Sequence, residues 1–195
     1  MIYNAEISAG ALMVVETKLV AKLLLKNPSK EDWKQAIEVD NILQKKTPAT
    51  AKRQAILVKK RLDCVAPEIL ELIATGDNEL TLQFIFASSL LHSQLHLDYM
   101  IKVYGEHLRL YESHIKKNAW EYFWDECAIL DSNINNWSEL TKNKLNQVIV
   151  KILSQAKFID STRTQKLTPP AIRPEVLSLV KIHHPHILVG LEFTN

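Results

Sequence analysis

Glycine is scarce in this chain, with four in 195 residues against an apolar fraction of 47%. So few glycines leave little room for hairpin turns or phosphate-cradling loops, and the abundant aliphatics favour helices over sheet. Cysteine is scarcer still: Cys64 and Cys127 stand alone. They lack zinc spacing and offer no disulfide framework, which fits buried thiols in a reducing cytosol. No apolar run approaches about 18 residues, the length that suggests a membrane span. The greasiest stretch, Leu80 to Leu91, is interrupted by Thr81, Gln83, Ser88 and Ser89 and reads as a buried helix. The opening Met1-Ile2-Tyr3-Asn4-Ala5-Glu6 has no basic n-region and no cleavage site, so no signal peptide is expected. A cytoplasmic protein without membrane contact is the expectation.

Catalytic signatures are missing as well. The sequence holds no glycine-rich phosphate loop, no nucleophile elbow and no paired cysteines, and nothing resembles a methyltransferase, nuclease or ATPase motif. The reading is therefore non-enzymatic: no catalytic residues, no cofactor and no metal. His92 and His96 have the four-residue spacing of two ligands on one helix face. Position 93, where a zincin needs glutamate, is Ser93, and no third ligand is apparent. His183, His184 and His186 cluster near the end of the chain without a partner motif. No heptad repeat suggests a coiled coil, so a monomer is expected.

One absence carries the most information. Between Gln44 and Leu62 there are seven basic residues (Lys45, Lys46, Lys52, Arg53, Lys59, Lys60, Arg61) and no acidic one. A second stretch, Lys142 to Lys166, has six basic residues and a single acid, Asp160. The net charge of the whole chain is only +2, so the remainder is net acidic. Two basic islands on an acidic body point to a polyanion, most simply nucleic acid. A run of charge is also what an ordinary solvated helix face looks like, so the placement of each island matters.

The periodicity predicts a first helix from about Ser8 to Lys26, with Leu12, Val15, Leu19 and Leu23 recurring every three to four residues. Asn27-Pro28 stops it. Ser29 with Asp32 at the third position reads as a capping-box-like start for a second helix carrying Trp33, Ala36 and Ile37. Gln44-Lys45-Lys46 reads as a turn. Thr47 then caps a third helix with Pro48 at its first position, where the missing N–H costs nothing. In that helix Ala51, Ala55, Val58 and Leu62 form one stripe, with Lys52, Arg53, Lys59 and Lys60 opposite. Ile56 projects into the basic face, placed either to touch thymine methyls in a major groove or to pack on a neighbouring helix.

Ala66-Pro67 opens a helix that ends at Gly76, read as a C′ glycine. Asp77 caps the next, through about His92. Another runs to about Tyr111 with a disturbance at Gly105. The segment from Lys117 to Leu130 is aromatic and acidic, and its Trp120, Tyr122, Phe123 and Trp124 are assigned mainly to the core. After a polar turn, Asp131 to Asn136, Ser138 or Thr141 caps a helix to about Ala156. Its stripe is Leu145, Val148, Ile149, Ile152 and Ala156. Asn143, Lys144, Gln147, Lys151 and Ser154 face the other way, suited to phosphates or base edges. Lys157 to Asp160 and Lys166 to Thr168 flank a polar tip with Arg163, a candidate two-stranded wing. A last helix starts near Arg173-Pro174-Glu175.

The fold class is thus all-α: one compact globular helical unit over 1–195, with helix-turn-helix elements at 29–62 and 117–168, the second a candidate winged form. The helix-turn-helix uses one helix to brace another in the major groove, and here both patterns coincide with the basic islands. The candidate DNA-binding residues are Lys45, Lys46, Lys52, Arg53, Lys59, Lys60, Arg61, Asn143, Lys144, Gln147, Lys151, Arg163 and Lys166.

Ile7-Ser8-Ala9-Gly10-Ala11-Leu12, then Asn41-Ile42-Leu43-Gln44 leading into Thr47 and Arg61-Leu62, the Phe123 helix, the Thr141–Leu153 helix and Phe158-Ile159-Asp160 follow one another in a telling order. The order resembles the BrxA family, small core components of BREX (bacteriophage exclusion) phage-defence systems. The resemblance spans about Ile7 to Val180. It implies an all-helical protein without known catalysis that binds double-stranded DNA, with other BREX components as possible partners. Two other roles are open to the same residues: a protein–protein adaptor docking through the acidic surface and aromatic helix, and a structured-RNA binder.

Overall fold

The computed structural model describes residues 2–193, which form ten α-helices joined by single 3-10 and π-helical turns. No β-sheet is present among them; two isolated antiparallel bridges, His114–Lys166 and Ile159–Leu167, are the only strand pairings. A continuous buried apolar cluster runs from Tyr3 and Ile7 through Phe84, Tyr99 and Phe123 to Ile149, Val180 and Leu191. Helices drawn from the whole length of the chain share this core.

The first helix departs from expectation. A 3-10 turn covers Glu6–Ala9, the chain then extends, and α1 spans Val14–Leu24. Met13 adopts a left-handed conformation at φ 52°. The Leu12 N–H is taken by the Gln155 Oε1 at 3.0 Å rather than by a helical carbonyl. The buried face of α1 is Thr17, Val20 and Ala21, while Val15 is exposed. The apolar spacing was compatible with a helix, but a side chain 143 positions away competes for its backbone.

Elsewhere the cap signals match the elements, with Gly76 the exception. Ser29 and Asp32 form a capping box on α2 (Lys30–Lys34), which runs into a π-helical turn, Gln35–Val39. Thr47 caps α3 (Pro48–Leu62) by accepting from the Thr50 N–H. Helix α4 (Pro67–Thr75) meets α5 (Asn78–His92) at Gly76, with Asp77 as the cap of α5. Gly76 is not a left-handed C′ residue: its φ is −62°. A Cβ there would lie 2.5 Å from the Leu72 carbonyl oxygen, so close approach is what requires glycine.

Helix α6 (Gln94–Tyr99) continues through a π-helical turn (Met100–Gly105) into α7 (Glu106–Arg109), with the disturbance around Gly105. Helix α8 (Ala119–Leu130) buries Trp120, Phe123 and Trp124 and leaves Tyr122 exposed. A 3-10 turn, Ser132–Asn136, leads to α9 (Glu139–Gln155), capped by Ser138. After the bridged segments, α10 (Pro174–His183) and a 3-10 turn, Pro185–Gly190, close the described chain.

Candidate nucleic-acid interface

Helix α3 buries Ala51, Ala55, Val58 and Leu62, which turns Lys52, Arg53, Ile56 and Lys60 outward. Helix α9 buries Leu145, Val148, Ile149 and Ile152, which exposes Asn143, Lys144, Gln147 and Lys151. Between these helices lies a cleft of about 850 Å³. The segment Ser8 to Val15, which runs from the 3-10 turn through the extended link into the start of α1, forms its floor, and Lys45 (paired with Glu16), Arg53, Lys144 and Lys151 stand around it. The two islands therefore meet at one concavity.

The floor is held from behind. The Arg61 guanidinium donates to the carbonyls of Ala11 (2.6 Å) and Gly10 (3.0 Å) and has no exposed surface. This corrects the assignment of Arg61 as a DNA contact: its charge points into the core to satisfy two backbone oxygens. Burial pulls its pKa down to about 10, so it stays protonated at neutral pH. Lys60 and His92 both hold Glu6, in the 3-10 turn just before the floor.

The first island is less open than its sequence suggests. Lys45 pairs with Glu16, Lys52 with Glu38 at 3.3 Å, Lys59 with Asp63 at 2.6 Å, and Lys60 with Glu6. Among the described residues, Lys46, Arg53, Lys144, Lys151, Arg163 and Lys166 have no carboxylate at ion-pair distance, and all six are exposed. Exposed ion pairs contribute only about 0–1 kcal/mol, so Lys52, Lys59 and Lys60 can exchange a carboxylate for a phosphate at small cost. Lys142, in the second island, is engaged with Glu121 and lies 5.7 Å from the Trp124 ring centroid. Three unpaired cations around one concavity repel one another, and an anion relieves that repulsion.

Ile56 is partly exposed on α3, not packed into a neighbouring helix. The residues that sequence reasoning missed are those of the floor and of its fastening, chiefly Met13, Val14 and Gln155. No local pattern marks them, because their partners lie far along the chain. Arg163 and Lys166 sit apart from the cleft-lining set, on the bridged segments after α9. The histidines have structural neighbours. His96 is fully buried beside the Ser89 hydroxyl, and burial, with Arg61 nearby, pushes its pKa down to about 3. Among the described residues no group of three or more His, Cys, Asp or Glu side chains is arranged to hold a metal ion.

The BrxA family model matches residues 1–184. The chain belongs to the BrxA family. A relative from Paramagnetospirillum magneticum (strain AMB-1), named BREX protein BrxA, is 30% identical over 187 residues, 96% of this chain and 94% of the relative. One of the same name from Escherichia coli O9:H4 (strain HS) is 28% identical over 176 residues, covering 90% and 83%. The fold matches the crystal structure of an uncharacterized protein from Magnetospirillum magneticum with a TM-score of 0.91 at 27% identity, over the full length of both chains. Family membership places the chain in BREX phage defence. No helix among the described residues is long and apolar enough to cross a membrane.

Proposed function

We propose that the chain is a non-enzymatic double-stranded DNA-binding component of its BREX system, seating the sugar-phosphate backbone at the cleft between α3 and α9. The observation that carries this is the meeting of Arg53, Lys144 and Lys151 around one concavity whose one lining carboxylate, Glu16, is taken by Lys45. The cleft is too small for a duplex, so the duplex lies across its mouth with one strand's phosphates directed inward. Asn143 and Gln147, one helical turn apart on the exposed side of α9, are then placed against bases or the groove edge.

Most binding energy in this arrangement comes from displaced counterions. With about six phosphates engaged, affinity for a labelled duplex falls roughly a thousandfold between about 50 and 200 mM salt. The triple variant R53E/K144E/K151E abolishes binding and keeps the wild-type melting temperature, because all three side chains are exposed. A flat salt titration, or a folded triple variant that binds normally, removes this reading. Duplex RNA competes poorly if a B-form backbone spacing is what the cleft fits.

A second reading has its own observation. Tyr122, Ile129 and Leu130 are exposed on α8 beside Glu121, Asp125 and Glu126. That surface suits a protein partner within the BREX system, and a complex that survives nuclease treatment and high salt favours it.

A further inference from the structure

The short strand pairing after α9 does more than shape a hairpin. The Leu167 N–H donates to the Ser113 carbonyl (3.0 Å) and the Ile115 N–H to the Gln165 carbonyl (3.1 Å), around the His114–Lys166 bridge. This antiparallel register brings the segment before α8 against the hairpin tip, some fifty positions later in the chain. A concavity of about 450 Å³ opens at the junction, lined by His114, Lys116, Lys117 and Arg163, with Glu112 as its one acid.

The acids nearby are occupied. Glu112 pairs with Lys116 at 2.7 Å. Asp160 accepts from the Ser161 N–H (2.6 Å), the Thr164 hydroxyl (2.7 Å) and the Lys166 N–H (2.9 Å), so it braces the tip. Lys117 and Arg163 are exposed and have no carboxylate at ion-pair distance among the described residues. They lie in neither cluster of the cleft, and Lys117 lies in neither basic island of the sequence.

We propose that this hairpin tip, with the segment packed on it, is a second phosphate-binding site, with Lys117 and Arg163 gripping the backbone of the same duplex that occupies the cleft. The inference rests on the DNA-binding reading. It makes binding bipartite: the floor and α3–α9 hold one stretch of backbone, and the hairpin tip holds another.

The test compares salt slopes on a labelled duplex for the wild type, K117Q/R163Q, and the charge-keeping K117R/R163K. K117Q/R163Q lowers the magnitude of the slope by about two and weakens binding roughly tenfold at fixed salt, while K117R/R163K behaves as wild type. Wild-type affinity and slope in K117Q/R163Q overturn the second site and leave the cleft reading standing. Equal losses in both variants also overturn it, since charge is then not the cause. A wild-type chain that binds no duplex overturns the DNA reading and this site together.

Discussion

Arg61 is a fully buried guanidinium whose two terminal nitrogens donate to Gly10 and Ala11, while its Nε–H has no partner. Those carbonyls belong to the cleft floor, so a residue of the first basic island shapes the interface without touching a ligand. Arg61→Gln removes at least one charge-assisted hydrogen bond and leaves a buried oxygen poorly satisfied, at a cost of about 2–4 kcal/mol. The melting temperature then falls by roughly 5–12 °C. The salt slope of DNA binding by the folded protein stays at its wild-type value, because no phosphate contact is lost. A calorimetric melt and an anisotropy titration separate the two effects; a slope change without destabilisation returns Arg61 to the surface role. In the sequence, Arg61 is one of three consecutive basic residues, and helical phase alone sets it beside the buried stripe. What buries its charge is a pair of carbonyls fifty positions upstream, and no local pattern contains that.

At the scale of elements, α3 and α9 were legible and the strand of chain between them was not. Thr47-Pro48 and Ser138 are local cap signals, and the stripes of both helices follow from period and apolarity alone. Residues 8 to 13 carried a helical spacing, but their backbone is claimed by distant groups, Gln155 on α9 and Arg61 on α3. The floor is therefore an element made by tertiary contacts. Gln155→Leu tests this. It deprives the buried Leu12 N–H of its acceptor, a penalty of about 1–3 kcal/mol. Exchange of the Leu12 amide accelerates about tenfold or more, while amides in the middle of α9 keep their protection. DNA affinity drops with it, because Gly10 to Val14 no longer hold the cleft's shape. Unchanged exchange at Leu12 shows that the floor is held without α9.

For the whole molecule, the decisive question is what ties the chain's beginning to its second half, since the interface needs both. Asp131 supplies one such tie. Its carboxylate accepts from the Ile2 N–H (2.5 Å), the Tyr3 N–H (3.1 Å), and the backbone and side chain of Asn133 (3.2 and 2.8 Å). The Tyr3 hydroxyl in turn donates to Asp98 on α6 at 2.7 Å. The Tyr3 N–H, first among these donors, pulls the Asp131 pKa down to about 2. An ordinary aspartate in the unfolded chain titrates near 3.9. Because the folded value is the lower one, the carboxylate stabilises the fold above about pH 4, and the contribution disappears as the pH falls toward 2. Asp131→Asn keeps the shape but loses the charge-assisted acceptor, so its melting temperature lies several degrees below wild type at pH 7. That gap narrows as the pH falls and closes near pH 2, where the wild-type carboxyl is itself becoming protonated. Melting curves for both proteins at pH 7, 4 and 2.5 decide it. A gap that stays constant with pH assigns the loss to packing at Asn133 and Tyr3, and removes charge from the tie between the two halves.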